Sequence, residues 1–349
     1  MSVRHVAGTA PENLAEPRES GSLGRLALDD PGLEARLGES LERVEKWLLA
    51  LAQDAGDPRV GALTGYLAEA GGKRLRPLLV LLGAEFGEPW REGITQAAVV
   101  AELVHTASLY HDDVMDGAPT RHGVPSVHAR FGERAAVFGG DWLLARAAQL
   151  AAQLGPDAVQ LNARTAGRLV AGQLRELTGP APGEDPVTHY FQVIAGKTAA
   201  LLSMSLGIGA LQAGAPGAVT PLTEYGEHLG VAFQIADDLL DLRSPADVSG
   251  KERGTDLLAG VPTLPVLLVL DGTGPADAEL RDLLAAGPVP AAAARRALDL
   301  FARSPALAET EAVLHRRLDR ARAALDPLPA LPARRALLAL CDYVAHRTS

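Results

Sequence analysis

Glu102-Leu-Val-His-Thr-Ala-Ser-Leu-Tyr-His-Asp-Asp-Val-Met-Asp116 is one of two stretches that decide the fold of this chain. It reads as a single helix, because its apolar residues recur at three- and four-residue spacing and no proline or glycine interrupts it. Asp112 and Asp116 are four apart and so share one face, about 6 Å from each other along the axis. A second stretch, Leu229-Gly-Val-Ala-Phe-Gln-Ile-Ala-Asp-Asp-Leu-Leu-Asp-Leu242, repeats the Asp-Asp-x-x-Asp spacing on another apolar helix. There Asp237 and Asp241 share a face, with Gln234 one turn earlier on the same side.

Helical periodicity extends outward from these two stretches. Leu33, Leu37, Leu41, Val44, Leu48 and Leu51 form one apolar stripe. Similar patterns cover 91–116, 134–154, 158–178, 187–213, 219–243 and 262–270, with three more near 276–285, 290–325 and 332–346. Gly71-Gly72, Gly179-Pro-Ala-Pro-Gly183 and Gly214–Gly217 punctuate them. No alternating strand pattern and no strand-to-helix phosphate loop is present. The expectation is an all-α fold in one domain over residues 31–349, with ten or more helices around a central cavity. Residues 1–30 are rich in Gly, Pro, Ser and Glu without an apolar period, and read as a disordered tail.

Composition narrows the function. The net charge of -10 argues against nucleic acid or an anionic membrane as a partner. One cysteine, Cys341, rules out an intrachain disulfide and fits a reducing, cytoplasmic setting; no signal-peptide pattern opens the chain. The apolar run Thr198–Ala215 is interrupted by Ser203, Ser205, Gly207, Gly209 and Gln212, so it reads as a buried helix rather than a membrane span. Of 33 basic residues only four are lysines: Lys46, Lys73, Lys197 and Lys251. Where arginine has replaced lysine almost everywhere, the positions that kept lysine suggest a need for a compact ammonium.

The aspartates point to a divalent cation. Paired carboxylates on an apolar helix are costly when buried without a partner. Magnesium suits them, because it takes hard oxygen ligands, keeps several waters, and is often held by one or two carboxylates plus substrate phosphates. One such segment could be a solvated acidic face. Two copies weaken that reading, and two facing clusters could neutralise a diphosphate and make it a leaving group. Lys73 and Arg76, in Gly71-Gly-Lys-Arg-Leu-Arg-Pro77, are three apart and can converge on one anion, although a basic capping cluster would look the same. Alone, His105 reads as a satisfied core histidine.

Taken together, these motifs resemble the trans-isoprenyl diphosphate synthases, or polyprenyl synthetases, over residues 33–349. The resemblance implies that Asp112, Asp113, Asp116, Asp237, Asp238 and Asp241 are the magnesium-binding aspartates, with Asp112, Asp116, Asp237 and Lys197 central to catalysis. It implies that Lys73, Arg76, His105 and His122 bind isopentenyl diphosphate. It further implies that Arg121, Lys197, Thr198, Gln234 and Lys251 bind an allylic diphosphate. The chain departs from the family pattern at His122, where a second arginine is usual, and at Val261, where a further lysine is usual.

The implied chemistry is ionisation of the allylic diphosphate, attack by the isopentenyl double bond, and loss of a proton to the released diphosphate. Ala107, Ser108, Val104 and Ala101 lie one to three turns above Asp112, and none is aromatic, so growth past fifteen carbons is expected. An all-trans product of twenty carbons or more, leaning toward a quinone side-chain precursor, follows. A terpene cyclase on the same scaffold would need no second diphosphate site, so Lys73, Arg76 and His105 argue against it. An inactive partner subunit would not need both aspartate motifs intact. Family members are usually homodimers.

Overall fold

Residues 30–53, 56–243 and 253–347 are described by the computed structural model of the chain. The 1–30 tail, apart from Asp30, lies outside these residues, as does Lys251.

Side-chain caps start several of the helices. The first run is α1 (Pro31–Gln53), α2 (Pro58–Ala70), α3 (Leu75–Ala84) and α4 (Gly93–Met115). Asp57 caps α2 by accepting the Arg59 amide, with proline at the first helical position. A short hairpin follows, β1 (Thr120–Arg121) against β2 (Val124–Pro125). Its two-residue turn, His122-Gly123, has φ of +50° and +78°. Positive φ at both positions matches the twist of a tight hairpin, and glycine takes one of them without steric cost. No strand was expected from the sequence, because four paired residues are too few to show alternation.

Next come α5 (Val127–Phe131), α6 (Glu133–Gln153), α7 (Pro156–Thr178) and α8 (Pro186–Ile194). A π-helical turn over Ala195–Ala199 joins α8 to α9 (Ala200–Gln212). The remaining helices are α10 (Pro216–Arg243), α11 (Thr255–Ala259), α12 (Leu264–Asp271), α13 (Ala278–Ala285), α14 (Ala291–Phe301), α15 (Pro305–Ala324) and α16 (Pro332–His346). The single period expected over 290–325 is two helices. Pro305 ends the continuous pattern, and Ser304 caps α15 by accepting the Ala306 amide at 3.1 Å.

The all-α expectation holds. The centre of the fold is α9, apolar all round and buried on every side. Leu202, Leu206 and Ala210 face one core, and Leu201, Met204 and Ile208 face the other. Pro186–Gln212 is long and apolar enough to cross a membrane by length and composition, but 83% of its most apolar window is buried in the fold. Its glycines explain how closely it packs. A Cβ on Gly209 would stand 2.0 Å from the Val80 carbonyl oxygen, and one on Gly83 would stand 2.3 Å from that of Leu206. Any larger residue would force α3 and α9 apart.

Candidate active site

The first aspartate segment forms the last turn of α4, and its three carboxylates meet three different surroundings. Asp112 is half-buried, and its carboxyl is pushed up to about 6. Burial is the main cause. Lys197 opposes it, while the neighbouring Asp116 and Glu176 reinforce it. Asp116 caps the C-terminus of α4 and is exposed. Asp113 is fully buried and takes two hydrogen bonds from Arg121 on one oxygen, at 2.9 Å from Nε and 2.5 Å from Nη2. The structure therefore places Asp113 under the hairpin, holding Arg121 rather than facing outward with Asp112 and Asp116. Adjacent helix positions point about 100° apart, so Asp113 turns into the fold while Asp112 and Asp116, four apart, stay on one outer face.

The second segment divides in the same way. Asp237 lies at the surface of α10 and pairs with Arg347 at 2.8 Å. The Arg347 guanidinium also sits 4.8 Å over the Phe233 ring. Asp238 is buried, and both of its oxygens accept from the protein: Tyr190 Oη at 2.5 Å and Gln234 Nε2 at 3.1 Å. Burial pushes its carboxyl up to about 7 against the pull of these donors. Asp241 accepts the Thr255 amide, the Thr255 hydroxyl and the Asp256 amide at 2.6–3.1 Å, so it fastens the start of α11. Asp238 and Asp241 thus have their oxygens engaged by protein donors.

Lys197 reaches this region from the π-helical turn and pairs with Glu176 of α7 at 2.5 Å. The turn lies against α7 because Gly172 and Gly196 meet. A Cβ on Gly172 would come within 2.7 Å of the Lys197 backbone nitrogen. The extra residue of a π-turn re-aims Lys197 and Thr198 without breaking the helix, a common device at functional sites. Thr198 Oγ1 donates to Gln234 Oε1 at 3.0 Å.

The basic group lies on the other side of Glu102. Arg76 has a buried Nε with no hydrogen-bond partner, and burial lowers its pKa against the pull of Glu102 and Asp237. Lys73 is exposed beside it. Burial, then the Arg76 and His122 charges, hold His105 well below its ordinary pKa. His122 is lowered by burial and Arg121. Neither imidazole supplies a positive charge near neutrality. If the family resemblance holds at this position, His122→Arg should lower KM for isopentenyl diphosphate several-fold at little cost in stability, because His122 already carries a Cβ at positive φ. Steady-state kinetics at pH 7–8 beside thermal melts check both effects.

Two residues that pair with members of the candidate site escaped the sequence reading. Arg74, left-handed at φ +50°, ties Glu45 at 2.7 Å, Glu102 at 3.0 Å and the Ala68 carbonyl at 2.9 Å. It fixes the turn that presents Lys73 and Arg76, and its non-helical backbone gave no periodic signal. Arg347 lies more than a hundred residues from Asp237 in sequence, so no spacing could connect them.

Below Asp112 and Lys197 runs an apolar cavity of about 410 Å³ between α4, α6 and α7. Val104 and Ser108 line it, while Ala107 and Ala101 lie fully buried in the core outside its lining. Among the described residues no Phe, Tyr or Trp lines it. Its outer rim exposes Val170, Leu174 and Leu177.

The polyprenyl synthetase family description matches residues 57–301. The chain is 42% identical over 323 residues to nonaprenyl diphosphate synthase from Mycobacterium tuberculosis, covering 92% of this chain and 96% of that one. It is 38% identical over 315 residues to heptaprenyl diphosphate synthase component 2 from Geobacillus stearothermophilus, covering 89% and 97%. Among solved structures, geranylgeranyl pyrophosphate synthase from Corynebacterium glutamicum, complexed with calcium and isoprenyl diphosphate, superposes with a TM-score of 0.83 at 40% identity, over 92% of this chain and 99% of that one. The chain belongs to the polyprenyl synthetase family. It is a prenyltransferase of the trans-isoprenyl diphosphate synthase kind, as its motifs led us to expect.

Proposed function

We propose that this chain condenses isopentenyl diphosphate with an allylic diphosphate to make an all-trans polyprenyl diphosphate of twenty carbons or more. A quinone side-chain precursor is the favoured product. The observation that carries this reading is the apolar cavity that starts at Asp112 and Lys197 and has no aromatic side chain across it. A growing chain fits such a space, and apolar walls near Asp112 help keep water from a carbocation.

Magnesium fits the residues present. Among the described residues no three ligating side chains converge. Asp112 and Asp116 share one face of α4, and one or two carboxylates beside substrate phosphates is how magnesium is commonly held. Asp112, Asp116 and Asp237 are the aspartates we assign to it. Asp113, Asp238 and Asp241 support them by holding Arg121, Gln234 and α11. When bound, magnesium would neutralise the diphosphate and favour its departure. Lys197 and Arg121 add positive charge to the allylic diphosphate, with Lys251 expected to join them. Lys73 and Arg76 hold isopentenyl diphosphate. The unpartnered Arg76 Nε supports an anion site of its own there, which a cyclase would not need.

We also infer a homodimer, supported by the exposed apolar side chains Phe138, Val170, Leu174 and Leu177 on neighbouring faces of α6 and α7. The deciding experiment incubates the purified chain with magnesium, isopentenyl diphosphate and dimethylallyl, geranyl, farnesyl or geranylgeranyl diphosphate in turn. Mass spectrometry of the products gives chain length. If isopentenyl diphosphate is not consumed with any primer, the reading fails. Turnover only after adding a second protein component would replace the homodimer.

A further inference from the structure

We propose that Tyr190 is a positioning residue that sets the orientation of the Gln234 amide through Asp238; the inference rests on the condensation reading above. The Tyr190 hydroxyl donates to Asp238 Oδ2 at 2.5 Å, and Asp238 Oδ1 accepts from Gln234 Nε2 at 3.1 Å. Gln234 Oε1 then accepts from the Thr198 hydroxyl at 3.0 Å. Tyr190 and Gln234 both donate to Asp238, which favours its carboxylate form over a protonated one. Facing that carboxylate, the amide presents its NH2 side and leaves the carbonyl side for Thr198.

Geometry makes the arrangement rigid. Tyr190 and Asp238 are both buried, so neither can exchange its partner for water without cost. The Tyr190 ring is fixed edge-on against Phe191, with centroids 5.4 Å apart. Tyr190 belongs to α8, just before the π-turn that carries Lys197 and Thr198, while Asp238 and Gln234 lie one turn apart on α10. The bond from Tyr190 to Asp238 therefore ties together the two helices that face the allylic end of the site. Without it, the amide would lose its fixed acceptor and could present either end to Thr198. Tyr190 touches none of the reacting groups assigned above, so its influence must pass through Gln234.

The test is a double-mutant cycle on kcat with the full chain and magnesium. Tyr190→Phe keeps the ring and removes only the hydroxyl. It should lower kcat about ten- to hundredfold, the usual range for a buried hydrogen bond to a charged group, and leave KM for isopentenyl diphosphate within about twofold. In a Gln234→Ala background the same substitution should have no further effect on kcat, because residues that act through one another are not additive. Asp238→Asn, which keeps the shape but mismatches one donor, should repeat the pattern. A purely structural role predicts effects that multiply in the double mutants. Multiplying effects, or wild-type kcat in Tyr190→Phe, overturn the inference while an active wild-type chain leaves the condensation reading standing. A wild-type chain that condenses nothing removes the condensation reading, and the inference with it.

Discussion

Asp112→Asn should cut prenyl transfer by a factor on the order of 10³ and make the metal-free protein more stable at pH 7. The two effects share a cause. Asp112 is half-buried beside Asp116 and Glu176, and the function proposed above brings a cation and a diphosphate to it. Before they arrive, its negative charge is a burden. Its carboxyl is raised to about 6 in the folded chain, chiefly by burial, from an ordinary value near 3.8. The folded state thus binds this proton more tightly than the unfolded chain does. Its contribution to stability is present below about pH 4 and lost as pH rises through about 6. The loss is at most about 3 kcal/mol for a shift of this size. Thermal melts in EDTA at pH 5 and pH 7.5 should show the wild type losing stability with rising pH more than Asp112→Asn does. Magnesium should raise the wild-type melting temperature more than that of the variant. A variant that melts lower than wild type at pH 7.5 in EDTA would contradict the argument.

Ser108→Phe should shorten the product by several isoprene units with little change in the first condensation. Ser108 lies one turn from Asp112 and lines the cavity, and Val104 lies two turns away, about 12 Å along the axis. A benzyl group at Ser108 would cross the passage just below the ionising end. Ser108 donates only to the His105 carbonyl of its own helix at 2.8 Å, so the substitution breaks no contact between elements. Ala107→Phe is the informative control. Ala107 is fully buried in the core, where added bulk costs about 1–3 kcal/mol of stability. It should lower the melting temperature with less effect on length. Mass spectrometry of products from both variants separates the two positions, and an unchanged product from Ser108→Phe would remove the tunnel argument.

Much of this site was legible in the chain itself. Asp-Asp-x-x-Asp on two apolar helices, and lysine kept at Lys73 and Lys197 amid arginine, marked the groups we assign to the substrates. Periodicity was enough to expect α4, α10 and α16 within a few residues of their observed ends. It merged α14 with α15, because a break of a few residues barely disturbs a 3.6-residue pattern. It overlooked the hairpin that carries Arg121, because two-residue strands have no measurable alternation.

The sequence by itself determined the all-α class, the two carboxylate faces and the basic turn, since each depends on spacings of four residues or fewer along one element. Only the tertiary structure decided what surrounds each aspartate: Asp116 stays exposed, Asp112 is half-buried beside it, and Asp237 pairs with Arg347. Asp113, Asp238 and Asp241 belong to the same two motifs as Asp112, Asp116 and Asp237. Their surroundings diverge because Arg121 binds one oxygen of Asp113, Tyr190 binds Asp238, and Thr255 binds Asp241, each brought in from another element. The same holds for the tunnel: Ala107 and Ser108 are adjacent in the chain, and the packing of α4 against α6 and α7 sends one into the core and the other to the cavity wall. Helix geometry is local, but the partner that satisfies a carboxylate is chosen by whichever distant segment packs against it, and no spacing within one helix encodes that choice.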